Sequence, residues 1–165
     1  MTKIMKKQFL YLFLFFAFIS CANDVAFNNP AFEGRKDNVF WRAVDSKATL
    51  VNGVLSIEGF TRNEKLTLII PSPTTMVSLN DKNSYVTYIL GTSATNTAVL
   101  TDTSGAITFS TGLGIGNGQI VITGYDGTNN IVSGTFKFNA ENVNGNPLVG
   151  PTLNFQYGNF YIPLK

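Results

Sequence analysis

The chain has 165 residues, with twelve Lys and Arg against ten Asp and Glu, one cysteine and no histidine. That length fits one domain. The missing histidine excludes Ser-His-Asp and Cys-His catalysis and the usual Cys/His zinc sites, and one cysteine excludes an intramolecular disulfide.

The chain opens with Lys3, Lys6 and Lys7, followed by an apolar run from Phe9 to Ile19. As a helix that run would span roughly 16 Å. Crossing a bilayer core of about 30 Å takes around 20 residues. Residues 1–20 are therefore expected to be a cleaved secretory signal, with a permanent anchor as the other reading. Removing them leaves nine basic residues against ten acidic ones, a net charge near −1. There is no electrostatic case for nucleic acid.

Phe18-Ile19-Ser20-Cys21 resembles a lipobox, where signal peptidase cuts before a cysteine that then carries lipid. Two or more acyl chains such as palmitate anchor stably, at about 0.8 kcal/mol per buried CH₂. Cys21 is thus expected to be the lipid attachment point of an outer-membrane lipoprotein. The alternative is an ordinary small-x-small cleavage at Ser20-Cys21-Ala22, giving a soluble periplasmic protein. Residues 21–38, rich in Asn and carrying the turn formers Asn28-Asn29-Pro30 and Gly34-Arg35-Lys36-Asp37-Asn38, read as the lipidated cysteine and its tether. Phe27 and Phe32 stand out in the tether as side chains able to dock on the domain.

From residue 39 to 165 the pattern predicts a single all-β domain. Leu55 and Ile57 alternate with Ser56 and Glu58, the period of two of a half-buried strand. Further strands are expected at Lys65–Ile70, Tyr85–Leu90, Thr97–Thr101, Ala106–Ser110, Gln119–Thr123, Ile131–Phe138, Thr152–Gln156 and Asn159–Ile162. Asp126-Gly127 signals a hairpin, and Tyr157-Gly158 reads as a turn between the last two strands. Roughly 8–10 strands at short spacing predict an antiparallel β-sandwich or flattened barrel.

Pro30-Ala31-Phe32-Glu33-Gly34, Asp37-Asn38-Val39-Phe40-Trp41-Arg42-Ala43 and Ile131-Val132-Ser133-Gly134-Thr135-Phe136-Lys137-Phe138-Asn139-Ala140 carry a resemblance. These runs are similar to a family of small uncharacterised lipoproteins of Gram-negative bacteria, a domain of unknown function. The resemblance extends from about Ala31 to the end. It implies an envelope lipoprotein with a β domain, and no activity or catalytic residues.

Gly112, Gly114, Gly116 and Gly118 recur at every second position and precede a strand, so they predict a hairpin or bulged edge rather than a phosphate loop. Asp126, Asn129 and Asn130, and likewise Asn80-Asp81-Lys82-Asn83, lack the spacing of a calcium loop and read as turns. Asp45, Glu58, Glu64 and Glu141 are the candidates for a carboxylate pair that hydrolyses glycans. Trp41, Tyr85, Tyr88, Tyr125, Tyr157 and Tyr161 are the aromatic resource for stacking on sugars or peptides. Trp41 reads as a core anchor, Tyr157 and Tyr161 as rim positions.

The function expected is a non-catalytic binding or scaffolding domain without metal or cofactor, meeting a glycan, a peptide or an envelope protein. Two alternatives stand beside it: a carrier of a small apolar ligand inside a barrel, and a carboxylate hydrolase.

Overall fold

The computed structural model describes residues 31–126 and 130–165. Within them lie eleven strands: β1 (Ala31–Lys36), β2 (Val39–Arg42), β3 (Asp45–Val51), β4 (Val54–Phe60), β5 (Glu64–Pro71), β6 (Val86–Leu90), β7 (Thr97–Asp102), β8 (Thr108–Ser110), β9 (Asn117–Asp126), β10 (Ile131–Asn142) and β11 (Thr152–Pro163). One short 3₁₀ turn at Lys82–Ser84 is the helical element among the described residues, and none of their helices is long and apolar enough to cross a membrane. The all-β expectation is met.

All eleven strands join one antiparallel sheet, in the order β2-β1-β11-β10-β8-β7-β5-β4-β3. β10 carries two partners on one edge: β9 along Ile131–Asn139 and β8 at Glu141 and Asn142. β6 then adds to the far side of β9. The two ends of the path are β2 and β3, separated only by Ala43 and Val44. The sheet therefore curls into a half-barrel. The C-terminus reaches across it, since Leu164 bridges Ala48 and the Lys165 N–H donates to the Ala48 carbonyl at 2.8 Å.

The concave side is filled with aromatic rings. Phe32, Trp41, Phe136, Phe138, Phe155 and Phe160 form a chain of ring contacts with centroids 5.2–6.4 Å apart, several of them edge-on. Each buried ring contributes about 1.5–3 kcal/mol, and such pairings add about 0.5–1.5 kcal/mol. Leu55, Ile57, Leu66, Leu68, Ile70, Ile120, Ile122 and Ile162 complete the same fully buried cluster.

Two sequence expectations need correcting. The tether read as residues 21–38 does not extend that far, because β1 begins at Ala31 and lies between β2 and β11. Glu33 and Arg35 on its outer side made it look like loop, while Phe32 and Gly34 on its inner side are buried. The turn read at Tyr157-Gly158 is instead a bulge within a single strand, β11. Phe136 opposes Gly158 and Phe138 opposes Phe155, with a register shift between them. Tyr157 takes φ +53° at the kink.

Candidate functional site

Strands β9, β10, β11 and β1 turn alternate residues outward, and the sheet register sorts these into rows. In the first row Asn139 pairs with Asn117 on one side and with Asn154 on the other. Their side chains form a relay: Asn154 Nδ2 donates to Asn139 Oδ1 at 2.6 Å, and Asn139 Nδ2 donates to Asn117 Oδ1 at 2.9 Å. The row continues into the β1–β2 turn. There Asp37 and Asn38 both have positive φ, as a two-residue hairpin of this kind requires. Asp37 Oδ1 accepts from the Asn154 N–H at 2.9 Å. Each asparagine amide offers two donors and two lone pairs, so the relay uses only part of its capacity.

The next row runs Gln119, Lys137, then Gln156, Arg35 and Phe40, following the β9–β10, β11–β1 and β1–β2 registers. Between the two rows lies a hollow of about 220 Å³ lined by Asn117, Lys137, Asn139 and Gln156. Tyr157 stands beside Gln156 with 79% of its surface exposed, and Phe40 is 63% exposed. A bulky residue at positive φ carries a backbone cost of about 1–2 kcal/mol. Tyr157 gains no packing to offset it.

Further along the same face, Ser133 pairs with Gly124 and with Tyr161. These small residues floor a cleft of about 280 Å³ walled by Tyr161, Ile131, Asp126 and the Met76–Asn80 segment. Gly124 has to be small, because a Cβ there would lie 2.5 Å from Ser133 Oγ and 3.2 Å from Leu79 Cγ. Val77 holds the segment in place through two backbone hydrogen bonds with Tyr125, 2.9 and 3.1 Å. Tyr85 adds a third tie by donating from its hydroxyl to the Leu79 carbonyl at 3.0 Å.

A family model described as Domain of unknown function (DUF6252) matches residues 28–162. The chain belongs to this family. No curated protein and no solved structure matches it. The DUF6252 match begins near β1, in keeping with a domain that starts ahead of residue 39.

The four carboxylates weighed for hydrolysis in this DUF6252 domain each have a separate partner. Glu58 takes Lys47 at 2.9 Å and Lys65 at 3.2 Å. Burial pulls its carboxyl upward, but hydrogen bonds from Lys47 and Lys65, with their charges, outweigh that and hold it below the usual glutamate range. Glu64 is gripped by Lys36 and by Trp41 Nε1–H at 3.0 Å. It lies at a recess of about 290 Å³ shared with Asp102, Ile107 and Phe109. Glu141 accepts from the Gly116 N–H at 3.1 Å, and Asp45 accepts from the Ser46 N–H at 2.8 Å. Asp102 is held low by hydrogen bonds from the Ser104 hydroxyl and the Ile107 N–H. Among the described residues, no group of three acidic or cysteine side chains could hold a metal.

The remaining sequence candidates separate by face. Trp41 is a core residue, as expected. Tyr88 and Tyr125 flank the core; burial, then the neighbouring Tyr125, raises the Tyr88 hydroxyl above its usual range. Tyr157 and Tyr161 are on the outer face. Gly112–Gly118 makes a tight turn closed by a Gly112–Ile115 bridge and leading into β9. Asn80–Asn83 is a turn, with Asp81 Oδ1 accepting from the Asn83 N–H at 3.0 Å. Cys21, residues 1–20 and Asn129 lie outside the described residues. The amide row escaped the sequence reading, because Asn117, Asn139 and Asn154 meet only once three strands are in register.

Proposed function

We propose that this chain is an exported lipoprotein, held on the outer membrane of a Gram-negative envelope by acyl chains on Cys21, with a non-catalytic β domain that binds a partner through its outer face. The basic start, the short apolar run and the lone Cys21 support export and lipidation. Nine residues lie between Cys21 and Ala31 at the start of β1, ten Cα steps with a reach of at most about 35 Å from the bilayer.

One observation carries the binding reading. Tyr157 is a strained, exposed aromatic side chain beside a hollow lined by amides. Strain of this kind tends to be kept where it serves function. The partner classes that fit are a glycan, a peptide or an envelope protein. The filled interior counts against a carrier of an apolar ligand. Asp45, Glu58 and Glu141 stand apart from one another; Glu64 shares a recess with Asp102, but Glu64 is held by Lys36 and Trp41 and Asp102 by Ser104 and Ile107, which counts against a carboxylate hydrolase working there.

The test is cosedimentation of the full-length protein with isolated envelope fractions: peptidoglycan sacculi, lipopolysaccharide aggregates and outer-membrane vesicles. Retention by one fraction that is lost in Tyr157→Gly supports the reading. Equal retention of both proteins in every fraction contradicts it. Mass spectrometry of the N-terminal peptide decides lipidation separately, by the presence or absence of a diacylglyceryl group on Cys21.

A further inference from the structure

We infer that the ligand of this outer face is an extended glycan strand bearing acidic groups, lying along β10 from the asparagine row to the Tyr161 cleft. The inference rests on the outer-face reading and names its ligand class.

The two recesses belong to one face. Asn139 lines the hollow and Ser133 floors the cleft. Both sit on β10, six residues apart, which is about 20 Å along a strand. Between them the outward residues of β9, β10 and β11 include Gln119, Val121, Lys137, Thr135, Gln156, Tyr157 and Asn159, with Val121 the one aliphatic side chain among these. Such a strip suits a ligand of repeating hydroxyl, amide and ring-face groups, and is too long for a single small molecule.

Strand pairing argues for a glycan over a peptide. An extended peptide binds a sheet most readily by adding a strand to a free edge. β10 has β9 on one edge and β11 on the other, so its backbone groups are already paired. Only side chains remain to bind a ligand. Amides and hydroxyls hydrogen-bond sugar hydroxyls, and tyrosine rings pack on the apolar faces of sugar rings while keeping a polar tip.

Charge gives the acidic component. Lys137 projects from the middle of the strip, and Arg35 follows in the same row. No Asp or Glu lies among the outward residues of β9, β10 and β11 from the asparagine row to Ser133 and Tyr161. Carboxylates stand only at its margins: Glu33 pairs with Arg42 at 3.5 Å, Asp37 accepts from Asn154, Glu141 accepts from the Gly116 N–H, and Asp126 walls the far cleft, so the ligand's acidic groups are placed at Lys137 and Arg35 and not in that cleft.

The test is calorimetric titration of the full-length protein in detergent micelles with octagalacturonate, digalacturonate, neutral maltooctaose and an octa-aspartate peptide. Octagalacturonate is expected to bind, with digalacturonate and maltooctaose each weaker by about tenfold or more, equivalent to about 1.4 kcal/mol. Lys137→Gln and Tyr157→Gly are expected to weaken it at least about fivefold without lowering the melting temperature. Equal binding of maltooctaose overturns the acidic component, and equal binding of octa-aspartate overturns the glycan component. In both cases loss of that binding in Tyr157→Gly leaves the outer-face reading standing. Binding by none of the probes overturns the inference, while the sacculus and vesicle cosedimentation decides the broader reading independently.

Discussion

Phe136 on β10 and Gly158 on β11 face each other in register, and a Cβ built on Gly158 would stand 2.5 Å from three atoms of the Phe136 ring. The pattern repeats with the roles of the strands exchanged two pairs away. There Gly134 on β10 opposes Phe160 on β11, and its Cβ would lie 2.5 Å from the ring's Cζ. Gly59 relates to Phe32 and Gly34 to Phe155 in the same way. The interior is thus built from rings laid over glycines, which lets large side chains fill a narrow, curled sheet.

Gly158→Ala is expected to destabilise the domain by about 1–3 kcal/mol, the range for overpacking a dense core. Urea unfolding followed by tyrosine and tryptophan fluorescence measures this. Adding Phe136→Leu to Gly158→Ala should recover part of the loss, because the smaller side chain vacates the space the new methyl enters. A double mutant that loses the sum of both single costs would refute the ring-over-glycine arrangement.

Tyr157→Gly should leave stability unchanged or raise it by up to about 1 kcal/mol. Relief of the positive φ offsets the larger entropy of glycine in the unfolded chain. Thermal unfolding by circular dichroism reads the result. A loss of more than about 2 kcal/mol would mean that Tyr157 serves the fold rather than a ligand.

Trp41→Phe keeps most of the ring packing but removes the donor to Glu64. A hydrogen bond to a charged acceptor contributes about 1.5–3 kcal/mol, so a loss of that order is expected in equilibrium unfolding. Pairing Trp41→Phe with Lys36→Met in a double-mutant cycle should give a nonzero coupling, because both side chains grip the same carboxylate.

Glu58 gives a pH dependence of definite sign. Its folded value lies below the unfolded one, so it contributes stability above about pH 4.5 that disappears as pH falls through the folded value. Wild-type protein should lose more stability than Glu58→Gln on acidification below pH 4.5. Identical acid slopes in urea titrations of the two proteins would remove Glu58 from that account.

How legible the fold was depended on the residues in each strand. Leu55 and Ile57, or Phe136 and Phe138, sit two apart with polar residues between, and the strands were plain from spacing alone. β1 was hidden because its inner positions include Gly34 and Lys36, which carry no hydrophobic signal. Gly34 is glycine because the Phe155 ring occupies its side-chain space, a fact about β11 and not about β1. The Tyr157-Gly158 turn was misread for the same reason: Gly158 yields to Phe136. Tyr157 and Tyr161 were legible as rim residues, but the amide row on the other side of Tyr157 was not. Asn117, Asn139 and Asn154 are 22 and 15 residues apart and become neighbours only through two antiparallel registers.

The most direct test of the outer-face account is amide chemical-shift mapping of the isotope-labelled full-length protein in micelles, titrated with the envelope fraction that retains it, in solubilised form. The account predicts shifts centred on Asn117, Lys137, Asn139, Gln156 and Tyr157, spreading toward Ser133 and Tyr161 and absent in Tyr157→Gly. Shifts confined to Glu64, Asp102 and Ile107 at the other recess, with the asparagine row unmoved, would contradict it.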